Sequence, residues 1–312
     1  MKVFYKPWVL LKETGGSLNI IASLLFSSYL CSIKNKNNAK IMKELLNNFE
    51  PITLEQMSAI RLMNRTDTKF VTTLPKLEQL LTMAKDDYFV QEIDGERIAP
   101  YYTLYFDTDD CAMYTAHESG HTNRQKLRIR SYVNSGLNFL EVKTKNNHGR
   151  TKKKRVLVHE FDPMNPEHDI CFRCQNKEFC EYDDFLRSNL QYNPFSLCEQ
   201  LENCFDRITL VNKGMTERLT IDTNLRFHNV VMGNYRFMDN IVIIELKRDG
   251  RVPIPADAPT RSLSPVLSLL NQLRIKPHGF SKYCIGSALT NDDLHCNRLK
   301  PRLHSIERIL AA

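Results

Sequence analysis

The chain has one tryptophan, 11 glycines and 13 prolines in 312 residues, too few of the last two for a collagen-like or low-complexity molecule. It also lacks any apolar run of the roughly 20 residues that a membrane-spanning helix needs. The best candidate, Leu18 to Cys31, has 14 residues, is broken by Asn19 and several serines, and follows Lys2, Lys6 and Lys12. Leu30 precedes Cys31 where a lipoprotein signal would require Gly or Ala, so no cleavage site is present. Residues 1–41 therefore read as an upstream extension outside the fold, with a weak membrane anchor as the alternative. Residues 42–295 read as the folded domain and 296–312 as a C-terminal tail. A Walker lysine loop, a G-x-G-x-x-G turn and a nucleophile elbow are likewise missing, which disfavours the architectures built on them.

The nine cysteines are odd in number and widely spread, a usage that fits reduced thiols in a cytosol better than a disulfide framework. Cys171, Cys174 and Cys180, with Cys198, Cys204 and His168 nearby, offer zinc ligands. One Cys-x-x-Cys without a second is a weak signal, and ordinary thiols are the favoured reading.

What is present is enough apolar residue for a core, 42% of the chain, and an uneven distribution of charge. Between His121 and Glu160, eleven cations face only Glu141 and Glu160, so this window carries +9 of a total of +7 and leaves −2 for the rest. A basic excess confined to one region points to an anionic ligand. The next stretch, Phe161 to Asp206, holds ten acids against three cations and belongs to a different surface.

Thr53-Leu-Glu-Gln56 is a capping box and opens a short helix. Pro75 suits a first helical position, and Leu77, Leu80, Leu81 and Ala84 follow at helical spacing. From Tyr101 the period changes to two. Residues 101–107, 123–133, 137–145, 152–159, 207–213, 217–225 and 241–247 read as strands, with hairpin turns at Asn134-Ser-Gly136 and Asn146 to Gly149. Ser264-Pro265 opens an amphipathic helix and Ser281 opens another. The expected class is α+β, a mainly antiparallel sheet of seven or eight strands with peripheral helices.

The strands share one peculiarity. Arg124, Lys126, Arg128 and Arg130 occupy one parity, with Leu127, Ile129 and Val133 on the other, so alternation places four cations on a single face. Glu141, Lys143 and Lys145 repeat the pattern, as do Arg218 and Asp222, then Glu245 and Lys247, and near the start Arg65, Asp67 and Lys69. For one strand such a face is simply the solvated side of a half-buried sheet. Five strands dominated by Lys and Arg argue instead for a sheet closed with its charges inward, where cations at low dielectric repel until a polyanion enters. A barrel of about eight strands has room for one slender ligand, and a chain of phosphates matches Arg forks and Lys point charges.

Arg65-x-Asp-x-Lys69-Phe, Tyr105-Phe-Asp-Thr108, Leu127-Arg-Ile-Arg-Ser-Tyr132, Phe139-Leu-Glu-Val-Lys143, Lys153-x-Arg155, Arg218-Leu-Thr-Ile-Asp222, Ile244-Glu-Leu-Lys247 and Phe280-Ser-Lys-Tyr283, in this order, resemble the VTC domain. This is the polyphosphate polymerase branch of the triphosphate tunnel metalloenzyme (CYTH-like) superfamily. The resemblance runs from about residue 45 to 290. It implies an antiparallel eight-stranded β-barrel tunnel, ATP as substrate, polyphosphate as product, and Mn²⁺ or Mg²⁺ as cofactor. It makes Arg128, Arg130, Lys143 and Lys282 catalytic, with Lys69, Lys126, Lys153, Lys213, Arg218, Lys247 and Ser281 binding phosphate and Glu245 holding the metal. Glu141 is either a second metal carboxylate or the partner of a neighbouring cation. Two positions depart from the family: Lys213 stands where arginine is common, and Gly279 where the eukaryotic polymerases carry lysine.

The expected function is therefore transfer of the terminal phosphate of ATP to a growing polyphosphate chain, a reaction that needs positioning and positive charge more than a strong base. The alternatives are a triphosphatase on the same fold and a non-enzymatic polyphosphate or nucleic-acid binder using Lys152-Lys-Lys-Arg155. Against nucleic acid, aromatic residues do not alternate with the cations as single-strand binders prefer. The expected location is cytoplasmic, with membrane association only through a protein partner.

Overall fold

The computed structural model describes residues 36–58, 65–159, 161–163, 180–249 and 264–311. It is an α+β structure around one large, mostly antiparallel sheet. The strands are β1 (Glu50–Ile52), β2 (Arg65–Thr73), β3 (Tyr88–Gln91), β4 (Ala99–Thr108), β5 (Arg124–Tyr132), β6 (Leu137–Lys145), β7 (Thr151–Val158), β8 (Leu197–Asn212), β9 (Glu217–Asn229), β10 (Tyr235–Met238) and β11 (Ile241–Asp249). The helices are α1 (Lys36–Asn47), α2 (Leu54–Ser58), α3 (Leu74–Ala84), α4 (Ala112–Glu118), α5 (Cys180–Asn189), α6 (Pro265–Gln272), α7 (Lys282–Thr290) and α8 (Lys300–Ala311).

Local chemistry explains several boundaries. Thr53 and Gln56 form the reciprocal capping box that starts α2, with Thr53 N donating to Gln56 Oε1 at 2.9 Å and Gln56 N donating to Thr53 Oγ1 at 3.3 Å. Pro75 sits in the first turn of α3, whose Leu77, Leu80, Leu81 and Ala84 are buried. Ser264 and Ser281 cap α6 and α7 by accepting from Leu267 N and Cys284 N. Between β5 and β6 the chain turns through Gly136 at φ +62°, a left-handed backbone that glycine adopts without a Cβ penalty.

Eight strands follow the order β2-β11-β9-β8-β4-β5-β6-β7, with β1, β3 and β10 attached beside this path and only β1 and β3 pairing in parallel. No pairing joins β2 to β7 among the described residues, so the eight-stranded path is an open sheet rather than a hydrogen-bonded closed barrel. β8 begins at Leu197, ten residues before the expected start at Arg207. Its first half contains Glu199, Gln200, Glu202 and Asn203, which conceal a strand from any pattern based on β-branched residues.

The two faces differ. The outer face of β2, β11, β9 and β8 presents Phe70, Ile244, Leu246, Leu219, Ile221, Ile208 and Leu210, covered by Met42 and Leu46 of α1, the leucines of α3, and Val266, Leu269 and Leu270 of α6. The outer face of β4, β5 and β6 presents Leu104, Phe106, Leu127, Ile129, Leu140 and Val142, packed with Leu186 of α5. The inner face carries the charged parity. One end of it is filled by α7, whose Tyr283, Cys284 and Ile285 join Val71, Tyr105, Leu201, Leu225, Phe227 and Ile243. A β-bulge makes this possible. Between the pairs Cys204–Arg226 and Asp206–Thr223, β9 has one residue more than β8, and Asn224 takes φ +53°. The extra residue flips the parity of β9: Arg218, Thr220 and Asp222 face inward before it, Leu225 and Phe227 after it.

Asp107 locks α7 in place. Its carboxylate accepts from the N–H groups of Thr108, Met113 and Tyr114, each at 2.8 Å, and from Tyr283 Oη at 2.5 Å, tying β4, the start of α4 and α7 together. Within the expected tail, Lys300–Ala311 forms α8, and Leu299 and Ile306 are buried in the same cluster as α7. Cys171 and Cys174 lie outside the described residues, and Cys180 is described only as the backbone start of α5. Among the described residues no helix is long and apolar enough to cross a membrane.

Gly286 of α7 lies against the floor of the inner face. A Cβ there would meet Leu201 Cδ2 at 2.7 Å and the Phe227 ring closer still. Gly to Ala in a helix ordinarily stabilises by up to about 1 kcal/mol, but here Gly286→Ala should destabilise by about 1–3 kcal/mol through overpacking. Urea unfolding of the two proteins gives the sign; a more stable variant would show that α7 is not seated as described.

Candidate functional site

Cross-strand register places the charged side chains in adjoining rows. Lys126 is opposite Lys143 and Arg128 opposite Glu141 across β5 and β6, while Lys143 is opposite Lys153 across β6 and β7. At the other end of the strand order, Glu245 is opposite Lys69 on β2 and Thr220 on β9, Lys247 is opposite Arg218, and Arg207 is opposite Asp222. The two ends are within electrostatic reach: Lys143 on β6 feels the charges of Lys69 on β2 and Glu245 on β11. α7 closes the arrangement from one end. Lys69 Nζ donates to Phe280 O at 3.0 Å, Lys126 Nζ to Ser281 Oγ at 2.7 Å, and Lys282 Nζ to Asp222 Oδ2.

Three carboxylates organise this face, and each is held by two cations. Glu141, with none of its side chain exposed, receives Arg128 Nη2 at 2.7 Å and Lys153 Nζ at 2.9 Å. Asp222 receives Arg207 through two parallel bonds of 2.6 and 2.9 Å, and Lys282 as well. Glu245 receives Lys247 Nζ and lies 3.8 Å from Lys69 Nζ. The cations hold all three acids ionised against the opposing effect of burial: Glu141 is depressed to about 2, and Asp222 and Glu245 lie well below the usual carboxylate range.

Cations remain in excess after these pairings. Among the described residues the side chains of Arg130 and Lys143 make no hydrogen bond or ion pair, and the buried Nε of Arg130 has no acceptor. Lys143 reaches solvent, yet its crowded surroundings and the nearby Lys69 and Arg128 lower its pKa to about 7. Lys282 is also lowered to about 7, although it touches Asp222, because burial outweighs that attraction and Arg207 already neutralises the carboxylate. Burial lowers Lys126 as well.

Of the residues expected from sequence, Lys69, Lys126, Arg128, Arg130, Lys143, Lys153, Arg218, Glu245, Lys247, Ser281 and Lys282 fall on or against this face. The structure places Lys213 apart from them. β8 ends at Asn212, and Lys213 turns out to pair with Glu50 at 2.5 Å, its ammonium 5.6 Å from the centroid of the Phe89 ring. The guanidinium that β8 contributes is Arg207, which the sequence reading passed over although it shares the parity of Lys213. Arg207 lies 4.9 Å from the Tyr101 ring and 5.2 Å from that of Phe205. Tyr101, Tyr132, Phe139 and Phe205, from four strands, thus form an aromatic rim beside Arg130 and Arg207. No single strand signals this rim in sequence. At Gly279, where a side chain is missing, the guanidinium of Arg302 takes the space: a Cβ at 279 would lie 3.5 Å from its carbon.

Comparison with known proteins supplies the family. The VTC domain matches residues 64–291, well over half of the chain. The chain belongs to the VTC domain family. No curated protein matches it in sequence. Among solved structures, it is similar to an adenylyl cyclase candidate from Hippeastrum with a dominant triphosphatase activity, at TM-score 0.43 and 15% identity over 75% of this chain and 100% of that one. An adenylate cyclase candidate from Bacillus halodurans is similar at TM-score 0.41 and 12% identity, covering 70% and 96% of the two chains. A protein from Pyrococcus horikoshii is similar at TM-score 0.38 and 10% identity, covering 72% and 98%.

The surplus charge of this VTC domain has a measurable consequence without ligand. Lys143 is lowered to about 7 in the fold, whereas an unfolded lysine titrates near 10.4. Between those values the unfolded chain binds the proton that the folded one has lost, so this residue's contribution to stability rises with pH. Lys143→Met, which removes the charge, should be more stable than wild type at pH 7, and the gap should close toward pH 10. Chemical unfolding at both pH values tests it; a gap that widens with pH contradicts the placement of Lys143 among cations.

Proposed function

We propose that this chain transfers the γ-phosphate of ATP onto the end of a polyphosphate chain, inside a tunnel that the curled sheet forms around its charged face. The observation that carries this reading is the surplus of cations on this face, where Glu141, Asp222 and Glu245 are each already paired with two of them. An extended polyanion is the ligand that relieves such an excess along several adjoining strands. Family membership supports the same ligand class.

In this reading Arg128, Arg130, Lys143 and Lys282 are catalytic, and Lys69, Lys126, Lys153, Arg207, Arg218, Lys247 and Ser281 position the phosphates. An oxygen of the terminal phosphate of the chain bonds to the γ-phosphorus as the bond from that phosphorus to the β–γ bridging oxygen breaks, and ADP leaves. The transition state is loose and its charge spreads over the phosphoryl oxygens, so fixed cations lower its energy without a strong base. Arg130, whose Nε has no acceptor, is poised to donate to a phosphoryl oxygen. The aromatic rim offers Tyr132 and Phe139, both part-exposed, as a surface for the nucleobase.

The family implies a divalent metal, Mn²⁺ or Mg²⁺. Glu245 is ionised and one-fifth exposed on the charged face, and no group of three His, Cys, Asp or Glu residues suited to a metal occurs among the described residues. These residues fit a hard cation that takes one carboxylate from the protein and its other oxygens from phosphate and water. When bound, such a cation neutralises charge on the phosphate oxygens. ATP and polyphosphate are the partners this reading requires. The cytoplasm is the compartment, and a membrane protein is the partner that would bring the chain to a membrane.

The deciding experiment gives purified protein ATP and Mn²⁺ and resolves the products. Polymer and ADP in equal phosphoryl amounts are expected, while orthophosphate and ADP without polymer would replace transferase by triphosphatase. Glu245→Gln should abolish metal-dependent turnover and lower the melting temperature without unfolding the chain, since Lys69 and Lys247 lose a charged partner; unchanged Mn²⁺ dependence removes Glu245 from the site. Arg128→Ala with Arg130→Ala should weaken tripolyphosphate binding by about 10²–10⁴-fold, from about 1.5–3 kcal/mol per charge-assisted hydrogen bond. Tripolyphosphate should raise the melting temperature of wild type by mass action and that of the double variant far less. Equal shifts would falsify the tunnel.

A further inference from the structure

A second cationic cluster surrounds a cavity of about 280 Å³ between the end of α4, the start of β5 and the approach to α8. Its lining includes His117, Glu118, Gly120, Arg124, Arg298 and Arg302. Two of the three arginines are fixed by the exposed carbonyls that follow α4: Arg298 Nη1 donates to Ser119 O and Arg124 Nη1 to His121 O. Arg302 is exposed, and its side chain makes no hydrogen bond or ion pair among the described residues. The one acid, Glu118, is already engaged, accepting from Arg298 N at 2.7 Å and lying 3.5 Å from His295 Nδ1.

His117 reports the resulting field. Its Nδ1 is buried without a partner. Burial, together with Lys126, Arg124, Arg302 and Lys145, lowers its pKa to about 2, so the ring is neutral and cannot add to the cluster's charge. Three guanidinium groups, two flanking lysines and an unsatisfied ring nitrogen face one carboxylate whose nearer oxygen is spoken for. Guanidinium forks match phosphate oxygens geometrically, and the volume suits a few phosphate groups rather than a nucleotide held in full.

We propose that this cavity is a second phosphate-binding site, taking a short chain of two or three phosphoryl groups next to the site on the charged face of the sheet. Arg124 stands two residues before Lys126 on the same face of β5, so the two sites adjoin, with Lys126 and the foot of α7 between them. Gly279 lies beside the second site, where a Cβ would be in ordinary contact with the guanidinium of Arg302 at 3.5 Å. The ligand class rests on the reading of the charged face given above.

The test is calorimetric titration of the full chain with tripolyphosphate. In the Arg128→Ala, Arg130→Ala background, where the first site is disabled, one site should remain, and adding Arg302→Glu should weaken it at least tenfold. Arg302 is exposed on α8, so the substitution leaves the core untouched. As a second readout, tripolyphosphate should move the titration midpoint of the His117 ring signals upward in NMR spectra, and Arg302→Glu should diminish the ligand-induced shift. Binding by wild type but none by the double variant would overturn the second site and leave the first standing. Residual binding indifferent to Arg302→Glu, or His117 signals blind to the ligand, would also overturn it. Absence of binding in wild type would remove both readings at once.

Discussion

The structure depends on keeping many like charges on one face of a folded sheet. Burial penalises each of them, and partnering is what makes a charge tolerable away from water. The chain meets this constraint with three carboxylates, each divided between two cations drawn from different elements: β5 and β7 for Glu141, β8 and α7 for Asp222, β2 and β11 for Glu245. The acids therefore act as crosslinks as much as counter-charges. Replacing one would strand two cations, whereas replacing an unpaired cation such as Lys143 relieves the fold.

α7 connects that electrostatics to the hydrophobic core. Its apolar side sits on Leu201, Leu225 and Phe227 at the closed end of the inner face, and its cap delivers Ser281 and Lys282 to the charged end. Two features allow this. Gly286 lets the helix approach the floor, and Asp107 pins Tyr283 to β4 and α4. The placement of Lys282 is thus decided by packing and hydrogen bonds away from the charged face. α8 and the residue before it extend the same logic, burying Ile306 and Leu299 in the cluster that holds α7 while presenting Arg302 at the adjoining cavity.

The rim at the other end has a different composition. Tyr101 and Phe205 stack at 5.2 Å and flank Arg207, and Phe139 lies 4.3 Å from the guanidinium carbon of Arg155. Aromatic faces attract these guanidinium groups through the ring quadrupole, and those around Arg207 also shield it from water. The charged face is therefore graded from an aromatic mouth, through paired cations and acids, to the capped end of a helix.

Much of this was determined by the sequence itself. Alternation in Arg124 to Arg130, and again in Glu141 to Lys145, dictates which side chains share a face, because successive residues of a strand must point oppositely. The capping box at Thr53 and the caps at Ser264 and Ser281 likewise depend on neighbours within four positions. Tertiary structure alone decided the rest. The parity of β9 changes at Asn224, where an inserted residue moves Leu225 and Phe227 to the inner face, and an alternation read without the bulge puts them outside. Lys213 shares the parity of Arg207 but leaves the face because β8 ends one residue earlier. The open edge between β2 and β7, the aromatic rim and the arginine cavity each arise from residues far apart in the chain. Periodicity carries information about direction along one strand; where strands end, bulge and meet is set by packing between them.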